Sequence, residues 1–219
     1  MTPEERRDFI AAHAIPTAPP VVPEITLLEG GDSMTLWEAA ALTDMRPAVP
    51  PPYWAWPWAG GQALARYVLD HPELVRGRVA ADIGTGGGVV AIAAALAGAT
   101  RVDAIDIEPF AVEACRLNAA ANGVTAIVDP IEADPTGTDD GWDVVLVGDL
   151  WYESEVSRRI EPWLRALARR GATVLTGDLG RAYLPTNGLE TLATDVVPTT
   201  VDLEDTTSKQ VRVLRILPG

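Results

Sequence analysis

Residues 79–89 read VAADIGTGGGV. A short apolar run ends in an acid and a glycine turn, and an apolar segment of helical length, 88–97, follows directly. Glycine lets the chain turn tightly and lets a ligand approach the backbone with no Cβ in the way. The next apolar run, RVDAID at 101–106, ends in Asp106, 18 residues beyond Gly88. An ionised carboxylate only accepts hydrogen bonds, so an acid at that strand end suits the paired hydroxyls of a ribose. Gly84, Gly86, Gly88 and Asp106 together therefore predict a nucleoside site.

The spacing argues over which nucleoside. A dinucleotide fingerprint runs G-x-G-x-x-G or closes on alanine, and here Val89 holds the sixth position. A plain G-x-G-x-G preceded by Asp82 remains. No G-x-x-x-x-G-K-[ST] loop is present, which speaks against nucleoside triphosphate hydrolysis.

Outward from the turn, strand-like and helix-like segments alternate. EPFAVEACRLNAAANG (108–123) is a helix, with Pro109 at its start and Asn122-Gly123 at its end. VTAIVD (124–129) is expected as a third strand. WDVVLVGD (142–149) is a fourth, apolar on both faces as a buried parallel strand is. Residues 153–170 predict a helix and GATVLTGD (171–178) a fifth strand. Residues 195–203 and 209–217 read as two closing strands without a helix between them, hence an antiparallel pair at one edge. The expected class is α/β: a seven-stranded, doubly wound sheet, its ligand site beyond the carboxyl ends of the strands. Ahead of it, residues 3–14 predict a short helix with Thr2 as N-cap. Residues 15–23 form a proline-rich connector. Residues 25–29 and 33–37 suggest a hairpin. A helix is expected from about 61 to 74. Residues 1–60 are thus read as an extension with an aromatic loop, and 61–219 as one compact domain.

The chain has 219 residues, 17 basic and 31 acidic, for a net charge of −14. That balance opposes non-specific binding to nucleic acid or anionic membrane, and it suits a basic partner. Cys115 is the one cysteine, so an intrachain disulfide is excluded. Mid-helix, it reads as a small buried apolar group. The first residues are too acidic for a transit peptide and too polar for a secretory signal, and the longest apolar run, 89–99, is too short to span a bilayer. These features lead to an expected cytoplasmic location. His13 and His71 have no visible acid-base partner. Asn118 and Asn122 read as helix surface and C-cap.

The segment PPPYWAWPWAGGQALARYVLD (50–70) concentrates Tyr53, Trp54, Trp56 and Trp58 in six residues between prolines. Rings in a stiff loop either fill a core or wall a pocket. Trp54 divides evenly between the two, and Trp58, beside Gly60-Gly61, favours the pocket.

DIGTGGG and Asp106 resemble a class I, seven-strand S-adenosylmethionine-dependent methyltransferase. The aromatic stretch 51–77, DIGTGGG, GDLWY (148–152) and GDLGR (177–181) together resemble the lysine methyltransferases of the electron transfer flavoprotein beta subunit, over residues 22 to the C-terminus. The D-x-x-Y motif of that larger group is Asp149-Leu150-Trp151-Tyr152. The resemblance implies S-adenosylmethionine held by Trp58, Gly60, Asp82, Gly84, Gly86, Gly88, Asp106, Ile107, Asp134 and Asp149. Asp134, or its neighbour Glu132, would meet the adenine amino group. It implies catalysis by Asp149 and Tyr152, with Trp56, Trp151 and Tyr152 facing the substrate, although Trp151 reads equally as a core residue, and a lysine-rich protein surface, the flavoprotein beta subunit, as partner. Asp178 and Arg181 either shape the substrate entrance or form a local turn. Small-molecule N-methylation, ribosomal-protein lysine methylation and non-catalytic cofactor binding stand as alternatives.

Overall fold

The computed structural model describes residues 1–43, 50–201 and 205–219. Nine strands and six helices are found among the described residues. In the N-terminal part α1 (Pro3–His13), β1 (Ala14–Thr17), β2 (Leu27–Gly30) and α2 (Ser33–Thr43) precede α3 (Ala59–Asp70). The sheet unit then runs β3 (Val79–Ile83), α4 (Val89–Leu96), β4 (Arg101–Asp106), α5 (Pro109–Ala121), β5 (Val128–Glu132), β6 (Val144–Gly148), α6 (Ser154–Arg170), β7 (Thr173–Asp178), β8 (Leu189–Pro198) and β9 (Ser208–Ile216).

Seven strands form one sheet in the order β5-β4-β3-β6-β7-β9-β8. β3 pairs in parallel with both β4 and β6, so the order reverses beside it and leaves a crevice at its carboxyl end. β9 runs antiparallel to β7 and β8, as expected of the closing pair. Side chains alternate across the sheet with the two-residue period of a strand. Ala80, Val102, Val144 and Leu146 join one apolar cluster with α3, α4 and α5, while Ala81, Ile83, Val145 and Val147 join a second with α6. A third cluster of Phe9, Ile10, Leu36, Trp54 and Phe110 fastens the N-terminal part onto α5. Among the described residues no helix is long and apolar enough to cross a membrane.

Several boundaries differ from the sequence reading. Residues 33–37 are helix, not the second arm of a hairpin. Asp32 caps them, its carboxylate accepting from the Thr35 amide at 2.8 Å, and β2 pairs with β1 instead. The proline-rich connector thus contributes a strand, β1. β5 starts four residues later than expected because Val124–Ile127 close a turn after α5, with Ile127 N–H donating to Val124 O. β8 starts at Leu189; residues 202–203 of the expected strand lie outside the described residues. The helix expected over 61–74 ends at Asp70, and Pro72–Leu74 form a separate tight turn.

Candidate active site

The glycine turn joins β3 to α4 with three left-handed residues, Gly84 (φ 69°), Gly86 (φ 52°) and Gly88 (φ 87°). Side-chain-bearing residues rarely adopt such angles. Asp106 closes over the turn from the end of β4. Its Oδ2 accepts from the Gly86 amide and its Oδ1 from the Glu108 amide, both at 2.9 Å. Burial raises its pKa against those hydrogen bonds. Asp82, last but one in β3, accepts from Thr85 Oγ1 at 2.7 Å and from the Ala91 amide at 3.1 Å. Burial pushes it up to about 7. Ile107, 70% exposed, leaves an apolar surface beside Asp106.

On the other side of the switch point, the D-x-x-Y segment turns sharply. Asp149 itself is left-handed (φ 54°), one of the few non-glycine residues so placed. The four side chains consequently point to different places. Asp149 reaches the first turn of α3, where its Oδ2 accepts from the Gly61 amide at 2.7 Å; the positive end of a helix suits a carboxylate. Arg181 Nη2 stands 3.6 Å from its Oδ1. Leu150 packs beneath Gly84, where a Cβ would come within 2.6 Å of it. Trp151 turns into the α6 side of the core. Tyr152 turns outward, 41% exposed, its ring 5.8 Å from that of Tyr53. Burial of the hydroxyl, with Glu153 nearby, pushes the phenol up to about 12.

The aromatic loop forms the outer wall. Trp54 is core: it stacks on Phe110 at 5.9 Å and 8°. Trp56 and Trp58 are half-buried, their indole N–H groups donating to Gly30 O and Tyr53 O. Between the loop, β2, the glycine turn and Asp149 lies a cavity of about 50 Å³, room for a few waters. Trp56, Trp58, Gly84, Gly86, Asp82 and Asp149 line it.

Two residues of the expected site, Trp151 and Asp134, take other places, and two of its glycines, Gly88 and Gly60, are closely packed. Trp151 is fully buried and its indole N–H donates to Thr176 Oγ1 at 2.9 Å, so it faces no substrate. Asp134 lies on the surface, paired with Arg159 and capping Thr136, away from the cavity. Gly88 serves packing: a Cβ there would meet Cys115 Sγ at 2.7 Å. Gly60 does likewise, since a Cβ would lie 2.7 Å from both Asp149 oxygens and against Gly177 O. Gly61, next to it, donates its amide to Asp149 Oδ2.

Asn118 was not anticipated at the site. It is fully buried on α5, accepts from the Leu28 amide and donates to Gly87 O, both at 2.8 Å. Asn122, one turn on, grips Thr26 by both its amide and its carbonyl. Two asparagines four residues apart on one helix face were the available signal. Asp178 holds its own turn, accepting from the Gly180 and Arg181 amides, and thereby aims Arg181 at Asp149.

Comparison with known proteins assigns this arrangement. The ribosomal protein L11 methyltransferase (PrmA) family matches residues 63–148, which hold the glycine turn and Asp106. The electron transfer flavoprotein beta subunit lysine methyltransferase of Xenopus laevis is 40% identical over 181 residues, covering 80% of this chain and 71% of that protein. The chain belongs to the electron transfer flavoprotein beta-subunit lysine methyltransferase family. The Danio rerio member is 42% identical over 134 residues, 61% of this chain and 52% of its own length, so this chain spans about half of that relative. In fold, the chain is similar to a Pyrococcus horikoshii protein provisionally described as an RNA methyltransferase (TM-score 0.55, 16% identity, covering 84% of this chain and 98% of that one). Members of such a family use S-adenosylmethionine, and the lining fits it. The turn lacks Cβ atoms where a nucleoside approaches, and the carboxylates of Asp82 and Asp106, whose lone pairs can accept further bonds from an amino group and a ribose, flank it.

Proposed function

We propose that this protein methylates a lysine side chain of the electron transfer flavoprotein beta subunit. The observation that carries the reading is the 40% identity to the Xenopus protein of that name across 80% of this chain. The placement of Asp149 in the cavity wall, and of Tyr152 against the Tyr53 ring that borders it, supports the reading. When bound, S-adenosylmethionine supplies a methyl group made electrophilic by its sulfonium. Asp106 would hold the ribose hydroxyls, Asp82 the ammonium of the methionyl part, and Ile107 one face of the adenine.

The chain's own residues have to present the amine. A free lysine has a pKa near 10.4, so roughly one in two thousand is neutral at pH 7. A carboxylate would raise that pKa, whereas removal from water lowers it. Trp58, Tyr53 and Tyr152 exclude water from the rim. Asp149, fixed by the Gly61 amide, accepts an N–H of the amine and so orients its lone pair. Alignment then does most of the work.

The test is intact-mass measurement of purified electron transfer flavoprotein after incubation with this protein and S-adenosylmethionine. Methyl-sized increments on the beta subunit, mapped to lysine, are expected. An unchanged mass, with S-adenosylhomocysteine binding intact by calorimetry, would overturn the substrate.

A further inference from the structure

A second cavity, of about 600 Å³, lies across the aromatic loop from the first. It opens between the start of α3, the end of β8 at Pro198 and the β1–β2 hairpin. This is the carboxyl edge of the sheet, where ligands of such folds enter. Glu29, Trp56, Pro57 and Trp58 border both cavities, so a chain entering the larger one ends against the wall of the smaller.

The lining has one kind of unmet chemistry. Its charged side chains among the described residues are Glu29 and Asp32, both acids. Asp32 is engaged in capping α2 through Thr35. Glu29 is not engaged: its Oε1 is buried without a hydrogen-bond partner, and burial raises its pKa. Gln62, 4% exposed, donates its amide to Pro57 O, which fixes its carbonyl; that Oε1 also lacks a partner. Two unmet acceptors beside two indole rings describe a seat for a cation with several N–H donors, since buried acceptors are rarely left unpaired and aromatic faces attract ammonium.

We infer that the 600 Å³ cavity is the acceptor's entrance and that Glu29, with Gln62, docks the ammonium of the incoming lysine before it reaches Asp149. The lysine's identity as part of a protein rests on the proposed function; the ammonium site rests on the cavity alone. Docking at Glu29 holds the amine as ammonium; on leaving that carboxylate it returns its proton to bulk water at the open mouth, and the neutral amine passes inward past Trp56 and Trp58.

Glu29→Gln is expected to raise the KM for the flavoprotein about tenfold or more, the scale of a lost charged hydrogen bond. The Kd for S-adenosylhomocysteine is expected to stay within about twofold. An unchanged KM would overturn the inference. So would a loss falling on the S-adenosylhomocysteine Kd, because the carboxylate would then serve the cofactor's own amine. Gly31 lines the same cavity and an added Cβ there meets nothing within 4 Å. Gly31→Leu should therefore obstruct the entrance without strain and abolish protein methylation while cofactor binding persists; full activity would overturn the entrance. Calorimetric titration with n-butylammonium reads the site without turnover. Binding to the wild type that Glu29→Gln removes is expected. No binding, or equal binding by both, would overturn the ammonium seat even if the flavoprotein proves to be the substrate.

Discussion

Asp149 carries two duties that a substitution can separate. Its carboxylate accepts from the Gly61 amide, and in the proposed reaction its charge would face the amine. Asparagine tolerates the left-handed backbone and still presents a carbonyl to Gly61, so Asp149→Asn should fold as the wild type does. Without the charge, kcat/KM for the flavoprotein should fall by about 1.5–3 kcal/mol, roughly ten- to a hundred-fold. Calorimetry should find S-adenosylhomocysteine binding unchanged; near-normal turnover would show that the charge is not used. Asp82 makes a prediction about pH. Its native pKa of about 7 exceeds that of the unfolded chain, so between pH 4 and 7 the native state holds a proton that the unfolded state has released. The stability this group contributes is therefore highest below about pH 4, declines as pH rises to about 7, and is level beyond. Asp82→Asn keeps acceptors for Thr85 and Ala91 and should flatten that window. Unfolding free energies from urea titrations of both proteins across the range should diverge, by an amount on the order of a few kcal/mol at neutral pH. Parallel curves would contradict the buried carboxylate.

At the scale of elements, α3 is brought against β7 by glycine meeting glycine. Gly60 faces Gly177, and a side chain on either meets backbone. A Cβ at Gly60 would meet the Gly177 carbonyl, which cannot swing aside, and both Asp149 oxygens at 2.7 Å; overpacking against backbone costs ~2 kcal/mol or more. Urea denaturation should show that loss, with activity falling alongside because the same shift draws Gly61 away from Asp149. The elements also show where the sequence was readable. β3, β4, β6 and β7 were legible because buried parallel strands are short apolar runs ended by turn residues. The glycine turn was legible because left-handed angles restrict residue choice. α2 was misread because SMTLWEAA carries alternating apolar residues, and only the Asp32 cap decides for helix. Within Asp149–Tyr152 the spacing named the right motif, but not which ring faces out; the left-handed turn at Asp149 sends Trp151 inward and Tyr152 outward. Asn118 was hidden because its partners, Leu28 and Gly87, lie 90 and 31 residues away.

The molecule as a whole is acidic, with a net charge of −14, and the cavity read as the acceptor's entrance carries acids. Encounter with a lysine-bearing surface should be steered by that field, and screening sets in as the Debye length falls to about 10 Å at 0.1 M salt. KM for the protein acceptor should accordingly climb several-fold between roughly 0.05 and 0.3 M sodium chloride, while the S-adenosylhomocysteine Kd barely moves. A salt-independent KM would show that contact chemistry, not charge, brings the partners together.

Asn118 ties the glycine turn to β2 through one amide group, with Gly87 O on one side and the Leu28 N–H on the other. Any displacement of the turn is therefore felt by a backbone proton on a different part of the chain. Deuterium uptake at Leu28 should slow when S-adenosylhomocysteine is added, which makes a single amide in the N-terminal part a gauge of nucleoside occupancy.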